Sequence, residues 1–113
     1  MDVMKDAELI YVVKSWYDPN QGEPYIDWLE NKHVREVLEE PGILWAKRVR
    51  LDQSDDNGWP CILLVYGFEN RDALNTYMKS SSRLRFREEL NEMRDIHYSE
   101  RFWGDVDLKL AAK

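Results

Sequence analysis

The sequence predicts one α+β domain with the element order β-α-β-β-α-β, the ferredoxin-like plan of a four-stranded antiparallel sheet with two helices on one face. Three observations predict it. Four stretches have the β-branched and aromatic content or the period-two alternation of strands. Two stretches have the spacing of amphipathic helices. The 113 residues suffice for one core and are too few for two, so we expect a single domain over 1–113 with an ordered core of about 8–108.

The first half of the chain predicts a strand, a helix and a second strand. Residues 8–16, ELIYVVKSW, precede a turn-forming stretch and are predicted to be the first strand. A helix is expected from about Pro24, which suits a first helical turn, to Glu39, and Pro41-Gly42 ends it. Residues 43–51 follow as the second strand.

The second half repeats this order. Residues 60–69 are predicted to form a hairpin with the second strand across the polar loop 52–58. Asn70 is a suitable N-cap for a helix that is interrupted at residues 80–82 and resumes over 83–95. From His97 to Leu110 apolar and polar residues alternate, which predicts the fourth strand.

Composition excludes several functional classes. The net charge of −6 argues against a general nucleic-acid or anionic-membrane binder, because both need a basic face. No stretch approaches the roughly 18 apolar residues of a membrane span, and the N-terminal MDVMKDAE has no apolar signal core. The single cysteine, Cys61, cannot form an internal disulfide and lies in an apolar run, so we expect a buried thiol and a cytoplasmic location.

Two of the predicted strands are apolar on both faces. LIYVV and CILLVY show no alternation, although a sheet with helices on one side only should be polar on the other. The same face of a second copy would cover the exposed side, so the sequence predicts a homodimer that packs sheet against sheet.

His33 is the residue of the first helix that does not fit its position. On a helical wheel it falls in the middle of the apolar stripe, between Leu29 and Val37, with Glu30 and Glu36 one turn away. One interpretation is a core histidine that is hydrogen-bonded to a carboxylate or a backbone carbonyl. The other is a general acid or base, or a hydrogen-bond donor to a ligand, in a cavity between helix and sheet.

Aromatic residues are frequent around this stripe. The chain has five Trp, six Tyr and three Phe. Each of them is explained singly by a core or a dimer interface, but together they also describe a pocket for a flat, mostly apolar molecule. The candidates on the helix are Tyr25 and Trp28, and those on the strands include Tyr11, Trp16, Trp45, Tyr66 and Trp103.

The run from Trp28 to Arg48, with the pattern W-x4-H and a helix-ending Pro-Gly, resembles the dimeric α+β barrel superfamily, in particular its EthD-like members. YGFENRDALNTY, from Tyr66, is similar to the Y-x-F-x-S-x-E-A-L segment of the same families. The resemblance covers roughly residues 8–108. The chain departs from many relatives at residues 35–37, which read Arg-Glu-Val in place of a proline-acid-leucine run.

This resemblance implies a homodimer with a pocket in each subunit between helices and sheet. Members of the superfamily include cofactor-free monooxygenases, polyketide cyclases, lactone isomerases, lyases, aldoxime dehydratases and haem-degrading enzymes. The motif carries over to His33 as the candidate catalytic residue, and to Trp28 and Arg48 as candidate substrate-binding residues.

Neither a metal nor a cofactor is expected. His33 and His97 are the only imidazoles, and the pair His97 and Glu100 is too weak a signal for zinc. Haem degradation in this superfold needs a histidine on the second helix, and the sequence has none there before His97, whose role stays open. No glycine-rich nucleotide fingerprint is present.

Three functions remain open at this point. The first is a cofactor-independent enzyme that acts on an aromatic or polyketide-like substrate by acid/base chemistry, as a cyclase, isomerase, lyase or monooxygenase. In this enzyme His33 would be catalytic, and Trp28, Tyr25, Arg48, Tyr11, Tyr66 and Trp103 would bind the substrate. The second is a non-catalytic metabolite-binding protein that uses the same cavity. The third is a structural homodimer in which the aromatic residues fill the core.

Overall fold

A computed structural model describes residues 5–113. Residues 1–4 belong to the N-terminal stretch that was predicted to have no apolar signal core, and they lie outside the described residues. Strands and helices follow the predicted order. The strands are β1 (Leu9–Tyr17), β2 (Ile43–Ser54), β3 (Pro60–Phe68) and β4 (His97–Asp105). The first helical unit comprises α1 (Glu23–Trp28), a π-helical turn (Leu29–His33) and α2 (Val34–Val37), and the second comprises α3 (Arg71–Met78) and α4 (Ser81–Glu92).

The four strands form one antiparallel sheet in the order β2-β3-β1-β4. The predicted ferredoxin-like fold is therefore confirmed. The two strands without alternation, β1 and β3, are the central pair, where both faces need cover. On the helix side of β1, Leu9, Tyr11 and Val13 are buried, and both helical units pack there.

The first helical unit winds more loosely than the predicted α-helix. The Val34 amide donates to the Leu29 carbonyl, five residues back, which defines the π turn. In an α-helix, residues four apart drift by about 40° per step around the axis. The wider turn offsets part of this drift, so Tyr25, Leu29, His33 and Val37 all lie on the buried side. Ile26 packs at the edge of this side and is half-buried.

The second helical unit is divided where the sequence predicts an interruption. The Asn70 side chain accepts from the Ala73 amide and caps α3, as expected. The Ser80 hydroxyl accepts from the Arg83 amide and starts α4 in the same way. Two successive caps therefore replace one long helix, and each predicted helix consists of two shorter α-helical segments.

Some predicted boundaries were wrong. β4 ends at Asp105 and does not reach Leu110, because its partner β1 begins at Leu9, opposite Asp105. β2 continues to Ser54 through residues predicted to be loop, since the hairpin pairing extends to Ser54 opposite Pro60. No helix within residues 5–113 is long and apolar enough to cross a bilayer.

The sheet face opposite the helices is largely apolar, and no helix of residues 5–113 packs on it. Register places alternate residues of every strand there. Val49 and Phe102 expose 42% and 49% of their surface, far more than the core residues on the helix side. We call this surface the open face, and its apolar members include Ile10, Val12, Trp16, Val49, Leu63, Val65 and Phe102.

Candidate functional site

His33 is held by aromatic rings from both helical units. Its imidazole is 9% exposed and stacks on the indole of Trp28, with ring centres 4.2 Å apart and planes 10° from parallel. The ring of Phe86 on α4 packs against the same imidazole with ring centres 4.6 Å apart and planes nearly perpendicular. Contacts with two aromatic rings from different helical units restrict the plane of the imidazole.

The carboxylates predicted near His33 do not bind it. Glu30 forms an ion pair with Arg48 at 2.6 Å, and Glu36 contacts Arg85 at 3.2 Å. Nδ1 of His33 is buried and has no hydrogen-bond partner among the described residues. The interpretation of His33 as a core histidine bonded to a carboxylate or a backbone carbonyl therefore does not describe this nitrogen.

The surroundings of His33 favour a neutral ring. Burial lowers the pKa of His33 from 6.5 to about 4, and the positive charge of Arg101 adds to this lowering. The nearby carboxylate of Glu89 opposes the shift only in part. At neutral pH the imidazole is therefore uncharged, with one nitrogen able to donate a hydrogen bond and the other able to accept one.

His33 lines a cavity between the helical units and the sheet. The cavity has a volume of about 30 Å³, which is room for one or two water molecules and much less than a bicyclic ring system needs. Side chains around it must therefore move before an aromatic molecule can enter. Its apolar and aromatic lining includes Tyr11, Val13, Tyr66, Phe68, Tyr77 and Phe86.

Three tyrosines surround this cavity. Tyr66 is 2% exposed, and its hydroxyl has no hydrogen-bond partner among the described residues. Burial raises the pKa of the phenols of Tyr66 and Tyr77 well above their usual value, so both stay protonated. Tyr11 packs edge-to-face against both rings at 6.2 Å. The site therefore offers phenol donors beside a neutral imidazole.

The structure separates the predicted substrate-binding residues into three groups. Tyr11 and Tyr66 line the cavity with His33. Trp28 lies against His33, and Trp103 stacks on Tyr11 at 5.5 Å, so these two indoles support lining residues from outside. The remaining two, Tyr25 and Arg48, lie elsewhere.

Tyr25 is a core residue in this arrangement. It is 1% exposed, its hydroxyl is 2.6 Å from the hydroxyl of Ser15, and its ring stacks on His97 at 4.2 Å. Nδ1 of His97 is itself 2.8 Å from the carbonyl of Met93. The second histidine is thus accounted for by packing and by one backbone contact.

Arg48 lines a separate groove of about 490 Å³ together with Glu30, its ion-pair partner.

Three arginines that sequence reasoning did not assign also line the cavity: Arg83 and Arg87 of α4, and Arg101 of β4. The available signal was the spacing of Arg83 and Arg87, which puts them on one side of a helix, whereas Arg85 between them points elsewhere. Arg101 carried no such local signal. Among residues 5–113 there is no group of three or more His, Cys, Asp or Glu side chains that could hold a metal ion.

Comparison with solved structures identifies similar folds. A protein from Bacillus cereus that is named an antibiotic biosynthesis monooxygenase matches with a TM-score of 0.65 at 11% sequence identity, and the match covers 95% of this chain and 100% of that one. HapK from Hahella chejuensis matches with a TM-score of 0.64 at 16% sequence identity, and the match covers 93% of this chain and 99% of that one. An ethyl tert-butyl ether d (ethd) family protein from Bacillus halodurans scores 0.63 at 12% identity, over 88% and 99%.

One of these neighbours is an EthD family protein and all three share this chain's fold, so the resemblance predicted from the run Trp28 to Arg48 is confirmed for the fold. At such low identity the likeness says nothing of activity. No curated protein matches the sequence. A family model described as "Domain of unknown function (DUF4286)" matches residues 8–102, most of the chain. The chain therefore belongs to the DUF4286 family and has the ferredoxin-like α+β fold.

Proposed function

We propose that the protein is a cofactor-independent enzyme that carries out acid/base chemistry on a small aromatic or polyketide-like molecule beside His33. One observation carries the proposal. Nδ1 of His33 and the hydroxyl of Tyr66 are both buried and unpartnered among the described residues, and both residues line one cavity. Unsatisfied buried polar groups are costly, so two of them on residues that line one cavity favour a binding role.

The chemistry assigned to each group follows from its protonation state. Neutral His33 accepts a proton from the substrate, and the protonated phenol of Tyr66 donates a hydrogen bond to the oxygen on which negative charge develops. Because a base with a pKa of about 4 holds a proton weakly at neutral pH, the substrate must be acidic at the reacting position. Phenols and methylene groups between two carbonyls, which polyketides carry, meet this requirement.

Several reactions begin with such a proton transfer. They include cyclisation, isomerisation, elimination and the reaction of the resulting carbanion with dioxygen. These reactions differ in what the carbanion or enolate attacks or expels. One neighbour is named an antibiotic biosynthesis monooxygenase, so the reaction with dioxygen is the first of these to test.

A second candidate function is a non-catalytic metabolite-binding or structural homodimer. The small volume of the cavity favours it, since about 30 Å³ admits no aromatic ligand without rearrangement. The close stacking of His33 on Trp28 at 4.2 Å is also what a filled core would show.

Incubation with a panel of acidic aromatic compounds distinguishes these functions. We expect at least one of anthrone, 1,3-dihydroxynaphthalene and 1,4-dihydroxynaphthalene to be converted under air without added metal or cofactor. Product formation is followed by absorbance and mass spectrometry, with heat-denatured protein as the blank. A ligand-dependent rise in melting temperature without conversion would support the binding protein instead. Neither effect across the panel would favour the structural dimer.

The open face supports a further proposal about assembly, namely a homodimer formed sheet to sheet. We expect the wild-type protein to have twice the 13.6 kDa mass of the chain in size-exclusion chromatography with light scattering. Val65→Glu places a charge at the centre of the open face, opposite Val12 on the neighbouring strand, and should yield monomers or unfolded protein.

The control for Val65→Glu is Asn75→Glu on α3, which is exposed away from the open face and should leave the mass unchanged. A wild-type monomer would contradict the proposed assembly. So would a dimer that is unaffected by Val65→Glu.

A further inference from the structure

An open groove adjoins the cavity on the side of α4 and β4, and its charge is opposite to that of the chain. It has a volume of about 590 Å³. Four arginines line it, namely Arg83, Arg87, Arg94 and Arg101, and we call it the arginine groove. Leu90, Asn91, His97 and Tyr98 complete the lining, so no carboxylate is among the lining residues. This concentration of positive charge is unexpected in a protein of net charge −6.

The arginines of the groove differ from the other basic residues nearby. Arg85 and Lys32 form ion pairs with carboxylates of the two helical units: Arg85 contacts Glu36 at 3.2 Å, and Lys32 pairs with Glu89. By contrast, within residues 5–113 no carboxylate lies within ion-pair distance of Arg83, Arg87, Arg94 or Arg101. Arg94 donates only to the backbone carbonyl of Asn91, at 2.9 Å.

Four guanidinium groups gathered without a carboxylate repel one another, so the arrangement costs stability unless an anion relieves it. Guanidinium groups bind carboxylate and phosphoryl oxygens through paired N–H donors, which suits such a site. Arg83, Arg87, Leu90 and Arg101 line both the groove and the cavity. A ligand can therefore hold its anionic group in the groove and direct its ring body toward His33.

We propose that the substrate is an aromatic or polyketide-like acid whose carboxylate or phosphoryl group binds the arginine groove. The chemical class of the substrate rests on the proposed function, whereas the anion site itself does not. An anion bound there offsets the positive charge of Arg101 beside His33, so binding and protonation of the imidazole are coupled. The ligand thus makes the catalytic base stronger when it occupies the site.

Binding of four naphthalene probes tests the proposal without any turnover. We expect 2-naphthoate or 2-naphthyl phosphate to bind about tenfold or more tightly than the neutral 2-naphthamide and 2-naphthol, as charge-assisted hydrogen bonds predict. Titration calorimetry at low salt measures the affinities, and comparison of the two anions tells whether a carboxylate or a phosphoryl group is preferred. Raising the salt concentration should lower the affinity for the two anions and leave the affinity for 2-naphthamide unchanged.

Matched arginine variants on α4 and β4 locate the site. Arg87→Gln and Arg101→Gln should each lower the affinity for the preferred anion by about tenfold. Arg85→Gln removes an equal charge from an ion-paired position on α4 and should change the affinity for the same anion by less than about twofold. Equal affinity for the anions and 2-naphthamide would overturn the inference, as would equal losses in Arg85→Gln and Arg87→Gln.

The two proposals fail in different ways. If the anions bind selectively and neither the panel compounds nor their carboxylated counterparts, such as 1,4-dihydroxy-2-naphthoate, are converted, the arginine groove stands and the enzyme assignment does not. If neutral probes bind as well as anions while the panel compounds are converted, the enzyme assignment stands and the anion site is wrong.

Discussion

Replacing His33 with glutamine is expected to lower the turnover of a converted panel compound by about 10²–10⁴-fold, the usual contribution of a positioned proton-transfer group. Glutamine retains a hydrogen-bonding end but cannot accept a proton at any accessible pH. The substitution therefore separates proton transfer from binding. We expect kcat to fall while the affinity for the probe anions changes by less than about tenfold, because the arginines that hold them are untouched.

The control for this experiment is the other histidine. His97 is also buried, stacks on Tyr25 and contacts the Met93 carbonyl. It borders the arginine groove but does not line the cavity, so its replacement acts on anion binding and packing and not on proton transfer beside His33. His97→Gln should thus alter stability without a comparable loss of turnover. Circular dichroism and the measured mass establish that both variants are folded and assembled. Undiminished turnover in His33→Gln, or an equal loss in His97→Gln, would remove His33 from its catalytic role.

The second large effect is a loss of stability in acid that is traceable to His33. The unfolded chain protonates this residue near pH 6.5, whereas the folded protein holds it neutral down to about pH 4. Between these values the unfolded state binds more protons, so the free energy of unfolding falls as the pH falls through this window. The shift corresponds to about 3 kcal/mol at full extent, and below pH 4 this contribution changes no further.

Urea unfolding of wild type and His33→Gln at a series of pH values from 7 to 4 measures this contribution. The charged groups with the largest electrostatic influence on His33 are Arg101 on β4 and Arg85 and Glu89 on α4, and all three are present in both proteins. The difference between the two curves therefore isolates the imidazole from the carboxylates that titrate in the same range. Parallel curves would show that His33 is not held neutral by its surroundings, which would contradict the buried environment described for it.

Local patterns in the sequence determined the fold. The unalternating apolar runs of β1 and β3 predicted central strands, Asn70 predicted a helix cap, and both predictions depend only on neighbours in the chain. The resemblance carried by the run from Trp28 to Arg48 implied the same fold, which the comparisons confirm. His33 was expected to face the sheet, and it is buried on that side, although a π turn was needed to keep it aligned with Tyr25.

Only the tertiary structure decided what surrounds His33. Its contacts with Phe86 and the charge of Arg101 come from residues more than fifty positions away, so no spacing in the sequence reveals them. The ion pair between Glu30 and Arg48 is likewise not predictable from spacing, because it joins a helix to a strand, and it keeps both side chains away from the site. Arg83 and Arg87 meet Arg101 only because α4 packs beside β4. Periodicity specifies which side of an element is buried, but the partners on that side are set by packing between distant segments.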